Sequence, residues 1–167
     1  TDKTGTITEN KMSLAKVFSL SSQKITTPDE LNNDEKELIT LSMWASEPIP
    51  FDPMEVALHE AYTNLKLDDA RPNFKMIYEY PLSGKPPMMT HLFDDNSSKR
   101  IIAAKGAPEA LMAVSNISEK EKQQIEDAIK TLAIDGFRVL AVGEANYTGN
   151  HFPKTTQDFT FTFQGLV

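Results

Sequence analysis

The sequence predicts an α+β fold, in which helices pack against an antiparallel sheet. Strand-like segments at residues 74–80, 88–93 and 100–105 follow one another without a helical crossover, as is typical of antiparallel sheets. Longer segments with apolar residues at helical spacing precede and follow them. With 167 residues, the chain is long enough for one domain with a buried core, and no internal repeat divides it.

The composition excludes several classes of protein. A net charge of −7 argues against a general nucleic-acid binder, although a few local cations are enough to hold a small anionic ligand. The lack of cysteine excludes disulfides and thiolate metal sites. No apolar run approaches the roughly 20 residues that a membrane-spanning helix needs. The polar opening TDKTGT, which has no initiator methionine, and the apolar ending FTFQGLV lead us to expect a fragment of a longer protein.

The first third of the chain predicts two short strands and two helices. Residues 12–20 alternate well enough for a strand, and a turn at residues 21–22 leads to a second short strand at residues 24–26. Residues 27–30 have the form of a capping box. Asn33 is the expected cap of the better helix, which Pro48 ends. Asp52 is the expected cap of the second helix. The apolar residues of that helix fall at helical spacing: Met54, Ala57, Leu58, Ala61, Tyr62 and Leu65.

Residues 100–114 predict a strand, a tight turn and a helix. Lys105 ends the apolar strand, and Gly106 lets the backbone turn. Pro108 suits the first helical position, and Glu109 complements the helix dipole. A lysine and a glycine between a strand and a helix start form a plausible anion site. From this segment alone, a solvated lysine in an ordinary turn is the simpler interpretation.

The last third of the chain predicts a capped helix and two strands. A capping box at residues 118–121 opens the helix, and Gly136 ends it. Residues 137–142 have the apolar character of a buried strand, and residues 146–158 are expected to form a surface loop. The clearest period-two alternation runs through residues 159–164, where phenylalanines alternate with polar side chains.

The most specific chemical motif lies at the start of the chain. Asp2, which is followed by Lys3, Thr4 and a glycine, has the chemistry of a carboxylate nucleophile for a phosphoryl group. Such a transfer needs Mg²⁺ and cationic side chains to neutralise the charge on the phosphoryl group. The simpler interpretation of the same residues is a flexible polar N-terminus.

Residues 2–10, DKTGTITEN, resemble the phosphorylation motif of the P-type ATPases, which are ion pumps built on a haloacid-dehalogenase-like domain. Ile7 replaces the leucine that is usual in the family. Four later strings resemble family motifs in the expected order: FDPMEVAL from Phe51, KGAPE from Lys105, GFRVLAV from Gly136 and FTFQGLV at the end. The resemblance implies that residues 1–10 end the phosphorylation domain and that residues 11–167 form the nucleotide-binding domain.

The resemblance also implies roles for individual residues near the phosphates. Asp2 would accept the γ-phosphate of ATP, with Lys3 and Thr4 as neighbouring catalytic residues and with Asp2 and Thr4 near Mg²⁺. Arg138 would contact the phosphates, to which a guanidinium can bind through two parallel hydrogen bonds. Lys105 would place its ammonium at the floor of the pocket or beside the phosphates.

Around the base, the resemblance implies that Glu55 accepts a hydrogen bond from the adenine amino group and that Gly106 lets the purine approach the backbone. Leu82 and Ser83 occupy the positions of a family phenylalanine, which stacks on adenine, and of the serine after it. Tyr80 is expected to point to the same side and to replace part of that ring. Because stacking of a base on an aromatic ring contributes about 1–3 kcal/mol, we expect weaker ATP binding and looser adenine selectivity than is usual.

The resemblance further implies partners for the chain. Besides ATP, these are the rest of the phosphorylation domain, the actuator domain and the transmembrane domain of the same pump. No nucleic acid is expected as a partner. The parent protein is expected to lie in a membrane, with this domain on the cytoplasmic side. The strings KGAPE and DPMEVAL are most similar to those of pumps for Ca²⁺ and related cations, so such a cation is the expected substrate. The chain itself is expected to be monomeric. It is expected to bind ATP without turnover, since it lacks the family's further Mg²⁺-holding aspartates and its phosphate-binding threonine and lysine. A second family lysine near the base is also missing, and Lys85 is its nearest substitute, which adds to the expectation of weaker ATP binding.

Two alternatives remain. A phosphatase of the haloacid-dehalogenase type would carry an acid/base aspartate where Thr4 lies, which makes that alternative the weaker one. A non-catalytic interaction domain would show no response to ATP. If the chain is a pump domain, we expect Lys105→Ala to abolish ATP binding and to leave the fold intact, because Lys105 lies at a strand end.

Overall fold

The computed structural model describes residues 12–50, 52–65, 69–83, 87–95, 99–147 and 159–167. In these residues, seven strands form one sheet in the order β2-β1-β7-β6-β5-β4-β3, and each neighbouring pair is antiparallel. The predicted α+β class, an antiparallel sheet flanked by helices, is therefore confirmed. The strands are β1 (Val17–Ser19), β2 (Lys24–Thr26), β3 (Lys75–Ser83), β4 (Met88–Asp94), β5 (Arg100–Gly106), β6 (Ala141–Glu144) and β7 (Thr162–Leu166). The helices are α1 (Asn33–Trp44), α2 (Pro53–Asn64), α3 (Pro108–Ala113) and α4 (Glu119–Ile134), and a short 3₁₀ helix lies at Arg71–Asn73.

Helices cover both faces of the sheet. Side chains alternate between the two faces along β4 and β5, so that Leu92 and Ile102 pack with α3 and α4. Their neighbours Phe93 and Ala103 pack with α1 and α2 instead. Two apolar clusters are therefore buried on opposite sides of these strands. The side that α1 and α2 cover also carries the charged residues of the candidate site.

Several predicted helix boundaries are confirmed. Asp52 caps α2, because its side chain accepts a 2.9 Å hydrogen bond from the backbone N–H of Met54. Ser118 and Glu121 form the predicted capping box of α4. Gly136 follows the end of that helix with a φ of 83°, a conformation that a glycine adopts without strain.

Other predicted boundaries are wrong. Asn32, rather than Asn33, caps α1, because its side chain accepts a 3.0 Å hydrogen bond from the backbone N–H of Glu35. Residues 27–30 close a single turn instead of starting a helix. The strand predicted over residues 137–142 begins only at β6, since the chain first has to leave the end of α4 and reach the sheet.

The outer strands keep their predicted pattern but differ in length. The three phenylalanines within residues 159–163 are buried, and the threonines between them are exposed, as the alternation predicts. The strand predicted over residues 12–20 is reduced to β1. Most of the surface loop predicted at residues 146–158 lies outside the described residues, from residue 148 onward.

Gly106 ends β5 beside the start of β4. A Cβ atom at this position would lie 2.5 Å from the Cα of Met88 and 2.6 Å from the carbonyl oxygen of Pro87. The N–H of Ala107 donates to the same carbonyl at 2.9 Å, so the two backbones cannot separate without losing a hydrogen bond. The sheet itself therefore requires a glycine here.

Gly106→Ala is expected to lower the free energy of unfolding by about 1–3 kcal/mol, since the added methyl group would overpack against backbone. Gly136→Asn is the matched control: nothing lies within 4 Å of its Cβ position, and asparagine tolerates a positive φ. Urea unfolding of both variants measures the difference. A midpoint for Gly106→Ala equal to that of the wild type would contradict the described contact between β4 and β5.

Candidate functional site

A buried ion pair joins two of the predicted site residues. Lys105 on β5 places its Nζ 2.8 Å from Oε2 of Glu55 in the first turn of α2, and both side chains are 8% exposed. The same carboxylate oxygen accepts a hydrogen bond from the backbone N–H of Glu47 at 3.2 Å. The Sδ atom of Met89 on β4 lies 3.3 Å from the ammonium. The two charges thus neutralise each other inside the protein and are largely removed from water.

The local structure explains why these two residues meet. Asp52 caps α2, so Glu55 falls in the first turn, where the helix dipole stabilises a carboxylate. Lys105 pairs in register with Met89 on one side and with Val142 on the other, which places it within the sheet. Lys105 does lie near the end of β5, as predicted, but the expectation that it lies outside the core is wrong, because the residue is only 7% exposed.

Arg138 lies near the same end of α2, but at the surface. Its Nη1 lies 3.8 Å from the Sδ of Met54, the residue before Glu55. It belongs to the segment between α4 and β6 rather than to the strand predicted for it. An open cavity of about 380 Å³ adjoins it, and neither Glu55 nor Lys105 is among the described residues that line this cavity. The lining includes Lys16, Met54, Leu58, Phe137, Arg138 and Leu140.

Leu82 and Ser83 are exposed at the end of β3, and Leu82 has 59% of its surface accessible. Among the described residues, no hydrogen bond or ion pair joins either of them to the Lys105–Glu55 pair. Tyr80, which was expected to replace the missing ring, is buried, and its ring centroid lies 5.5 Å from that of Phe159. It packs in the cluster on the α3 and α4 side of the sheet, away from Glu55.

Of the remaining predicted site residues, the structure describes only Gly106. Asp2, Lys3, Thr4 and Lys85 lie outside the described residues. Gly106 is described, but the start of β4 fills the space where its side chain would be. On that side the glycine faces protein, so a ligand that approaches its backbone has to come from the other side.

A second polar cluster, which sequence reasoning missed, lies beside the ion pair. It consists of Glu47, Glu79 and His91, and one oxygen or nitrogen atom from each side chain lies within 4.8 Å of those from the other two. Burial, together with the hydrogen bond and the negative charge of Glu79, raises the pKa of Glu47. Burial lowers the pKa of His91. No short-range pattern reveals this cluster, because its residues come from the segment after α1, from β3 and from β4.

A second histidine holds the segment that carries Glu47. Nε2 of His59 lies 2.9 Å from the carbonyl oxygen of Glu47, and Nδ1 lies 3.1 Å from Nη1 of Arg71. Because a guanidinium only donates, Nδ1 accepts and Nε2 donates its proton to the carbonyl. Burial lowers the pKa of His59, and the charge of Arg71 acts in the same direction. The backbone of Glu47 is thus bound by Glu55 through its N–H and by His59 through its carbonyl.

A family model described as P-type ATPase, cytoplasmic domain N, matches residues 49–167. Calcium-transporting ATPase 1 of Saccharomyces cerevisiae is 26% identical over 208 aligned residues, which cover 99% of this chain and 22% of the relative. A probable cation-transporting P-type ATPase of Mycoplasma genitalium is 30% identical over 142 residues, which cover 85% of this chain and 16% of the relative. Plasma membrane ATPase 1 of Saccharomyces cerevisiae is 26% identical over 155 residues, which cover 89% of this chain and 16% of the relative.

The chain therefore spans between 16% and 22% of the length of these relatives. The matched residues 49–167 include the ion pair, Leu82 and Arg138. Among the helices that the structure describes, none has the length and apolar character needed to cross a membrane.

Lys105→Met is expected to lower the free energy of unfolding by about 3–5 kcal/mol, because the buried carboxylate of Glu55 then lacks a cation. This replaces the expectation, made from the sequence, that removal of the lysine leaves the fold intact. The double variant with Glu55→Gln buries no charge at this place and is expected to recover much of the lost stability. Urea unfolding measures both variants.

An unchanged midpoint for Lys105→Met would contradict the buried ion pair. Equal losses in the single and the double variant would contradict it too, since they would assign the effect to packing of the lysine stem.

Proposed function

This chain belongs to the P-type ATPase family, as its cytoplasmic domain N, and on that basis we propose that it binds ATP at the Lys105–Glu55 pair. The observation that carries the proposal is the contact itself. Two residues that the resemblance assigns to one nucleotide site lie 50 positions apart in the chain and yet meet at 2.8 Å. Such a contact between two independently assigned residues is not expected if the short motifs had matched by chance.

Lys105 and Glu55 offer complementary groups to a nucleotide. An ammonium has three donors, and a carboxylate has acceptor sites on both oxygens, so their mutual contact does not exhaust either group. Adenine presents a donor amino group next to acceptor ring nitrogens, and one edge of the base therefore suits both side chains. The first turn of α2 adds a favourable field for negative charge at this end of the helix.

Arg138 supplies the charge for the phosphates in the proposed site. It is exposed and lies by Met54 at the start of α2, within reach of the same helix end as Glu55. A guanidinium binds phosphate oxygens through two parallel hydrogen bonds. Because the guanidinium is exposed, phosphate groups can reach it directly from solvent.

In the parent protein, we propose that ATP bound here transfers its γ-phosphate to Asp2, with Lys3 and Thr4 as the neighbouring catalytic residues. Asp2 and Thr4 offer the oxygen ligands that suit Mg²⁺. Residues 1–10 then belong to the phosphorylation domain and residues 11–167 to the nucleotide-binding domain. The remaining phosphorylation, actuator and transmembrane domains are the partners, and this chain alone binds ATP as a monomer without turnover.

We propose further that the parent protein is a cation pump, with this domain on the cytoplasmic side of the membrane. Several relatives carry the name calcium-transporting ATPase, which supports Ca²⁺ or a related cation as the transported ion. The family match supports a pump rather than a phosphatase of the haloacid-dehalogenase type. Such a phosphatase would carry a second aspartate at the position where this chain has Thr4. If ATP does not bind, the alternative of a non-catalytic interaction domain is favoured.

Leu82→Phe is expected to strengthen ATP binding roughly 5- to 150-fold, because a stacked aromatic ring contributes about 1–3 kcal/mol. Leu82 is 59% exposed, so the fold tolerates the larger ring. Isothermal titration calorimetry with ATP compares the variant with the wild type. The same titration with GTP measures whether the new ring also sharpens the preference for adenine.

Ile134→Phe is the control, since it adds the same ring to an exposed aliphatic position, 84% accessible, at the end of α4. Its ATP affinity should equal that of the wild type. If neither the wild type nor Leu82→Phe binds ATP at millimolar concentrations, the proposed function is wrong. If Leu82→Phe and the wild type bind ATP with equal affinity, Leu82 does not belong to the binding site.

A further inference from the structure

The cluster of Glu47, Glu79 and His91 brings three side chains from three elements to one point. The register of β3 and β4 places Glu79 opposite His91. Nε2 of His91 lies 3.5 Å from Oε2 of Glu79 and 4.0 Å from Oε1 of Glu47. The histidine is fully buried, whereas each glutamate side chain is 35% exposed, so the point is open to solvent from the carboxylate side.

The backbone fixes the tautomer of His91. Its Nδ1 lies 3.0 Å from the carbonyl oxygen of Ser46 and 3.3 Å from that of Trp44. Carbonyl oxygens only accept, so Nδ1 carries the hydrogen and Nε2 of the neutral ring presents a lone pair. Within the described part of the chain, this Nε2 is a buried atom that has no hydrogen-bond partner.

With both glutamates ionised, the three side chains offer only acceptors to one another, because a hydrogen bond between Glu47 and Glu79 forms only when one of the two carboxyls carries a proton. The lone pair of His91 faces the carboxylate oxygens of Glu47 and Glu79, and like groups at this distance repel one another. A buried polar atom without a partner costs about 1–3 kcal/mol. A cation at the centre of the three atoms would offset the repulsion among the acceptor groups and would give Nε2 of His91 the partner that it lacks among the described residues.

We propose that Glu47, Glu79 and His91 bind a divalent transition-metal ion of the zinc type, with three protein ligands and one position left for water. Two ligand atoms on one tetrahedral zinc ion, each about 2.1 Å from it, lie about 3.4 Å apart. The 3.5 and 4.0 Å separations from Nε2 are close to that value. Small rotations of the two partly exposed glutamates are enough to complete the site.

The ligand set selects zinc-type ions over the hard cations. Mg²⁺ and Ca²⁺ prefer six or more oxygen ligands, and an imidazole nitrogen in a three-residue site suits neither. Imidazole with carboxylates suits Zn²⁺ and its neighbours in the transition series. The hydrogen bond from Nδ1 to the Ser46 carbonyl is the outer contact that orients a metal-binding histidine.

The site would join the β3–β4 hairpin to the segment between α1 and α2. Glu47 takes part in both clusters, because its side chain belongs to the metal site and its backbone N–H donates to Glu55. A bound ion would therefore hold in place the residue that positions the carboxylate of the ion pair. This proposal does not rest on ATP binding, and its test contains no nucleotide.

Calorimetric titration of the chain with Zn²⁺ is expected to show one saturable site, and an excess of Mg²⁺ is not expected to displace Zn²⁺ from it. Glu79→Gln, which keeps the shape of a partly exposed side chain, should weaken Zn²⁺ binding at least tenfold. Glu60→Gln, which removes an exposed carboxylate of α2 outside the cluster, should bind Zn²⁺ as the wild type does. Co²⁺, bound in place of Zn²⁺, should give the visible absorption of a tetrahedral complex, and EDTA should abolish it.

Replacement of the fully buried His91 endangers the fold, so its role is measured in the wild type. The imidazole nitrogen resonances of His91 should move with the first equivalent of Zn²⁺, and those of His59 should move less. Lack of saturable Zn²⁺ binding by the wild type would overturn the proposal. Equal affinities of Glu79→Gln and wild type, or unmoved resonances of His91, would overturn it as well.

Discussion

The buried ion pair between Lys105 and Glu55 is the interaction on which the arrangement of the candidate site depends. Removing either charge from water costs several kcal/mol, so neither side chain can stay buried as an ion without the other. The pair binds the middle of the sheet to the first turn of α2 across 50 positions of sequence. It also accepts a hydrogen bond from the backbone N–H of Glu47, and so helps to position one of the three members of the second polar cluster.

If the proposed function is correct, the Lys105–Glu55 pair both stabilises the fold and binds ATP. A ligand that reaches Lys105 and Glu55 meets two groups that already satisfy each other, so it gains only what their remaining donors and acceptors offer. The base gains no aromatic stacking at Leu82, and Tyr80 packs into the opposite side of the sheet. If ATP binds there, the weaker binding expected from the sequence has its cause in the buried pair as much as in the missing ring at Leu82.

Sequence reasoning succeeds where the signal is local. The caps at Asp52 and Ser118 and the alternation before β7 were predictable, because capping and strand periodicity act over a few residues. The burial of Lys105 was not, since it depends on which strands flank β5 and on the packing of α2. The cluster around His91 was also invisible, because only the register of β3 with β4 and the path after α1 bring its residues together.

The Lys105–Glu55 pair is the proposed binding site for ATP. The most direct measurement is a titration of the isotope-labelled 167-residue chain with ATP, followed by the amide resonances in NMR spectra. Saturable shifts are expected to centre on Lys105 and Glu55 and to extend to Leu82 and Arg138, while the resonances of α4 residues that face away from them stay unmoved. Shifts centred elsewhere, or no shifts at millimolar ATP, would contradict the proposed site.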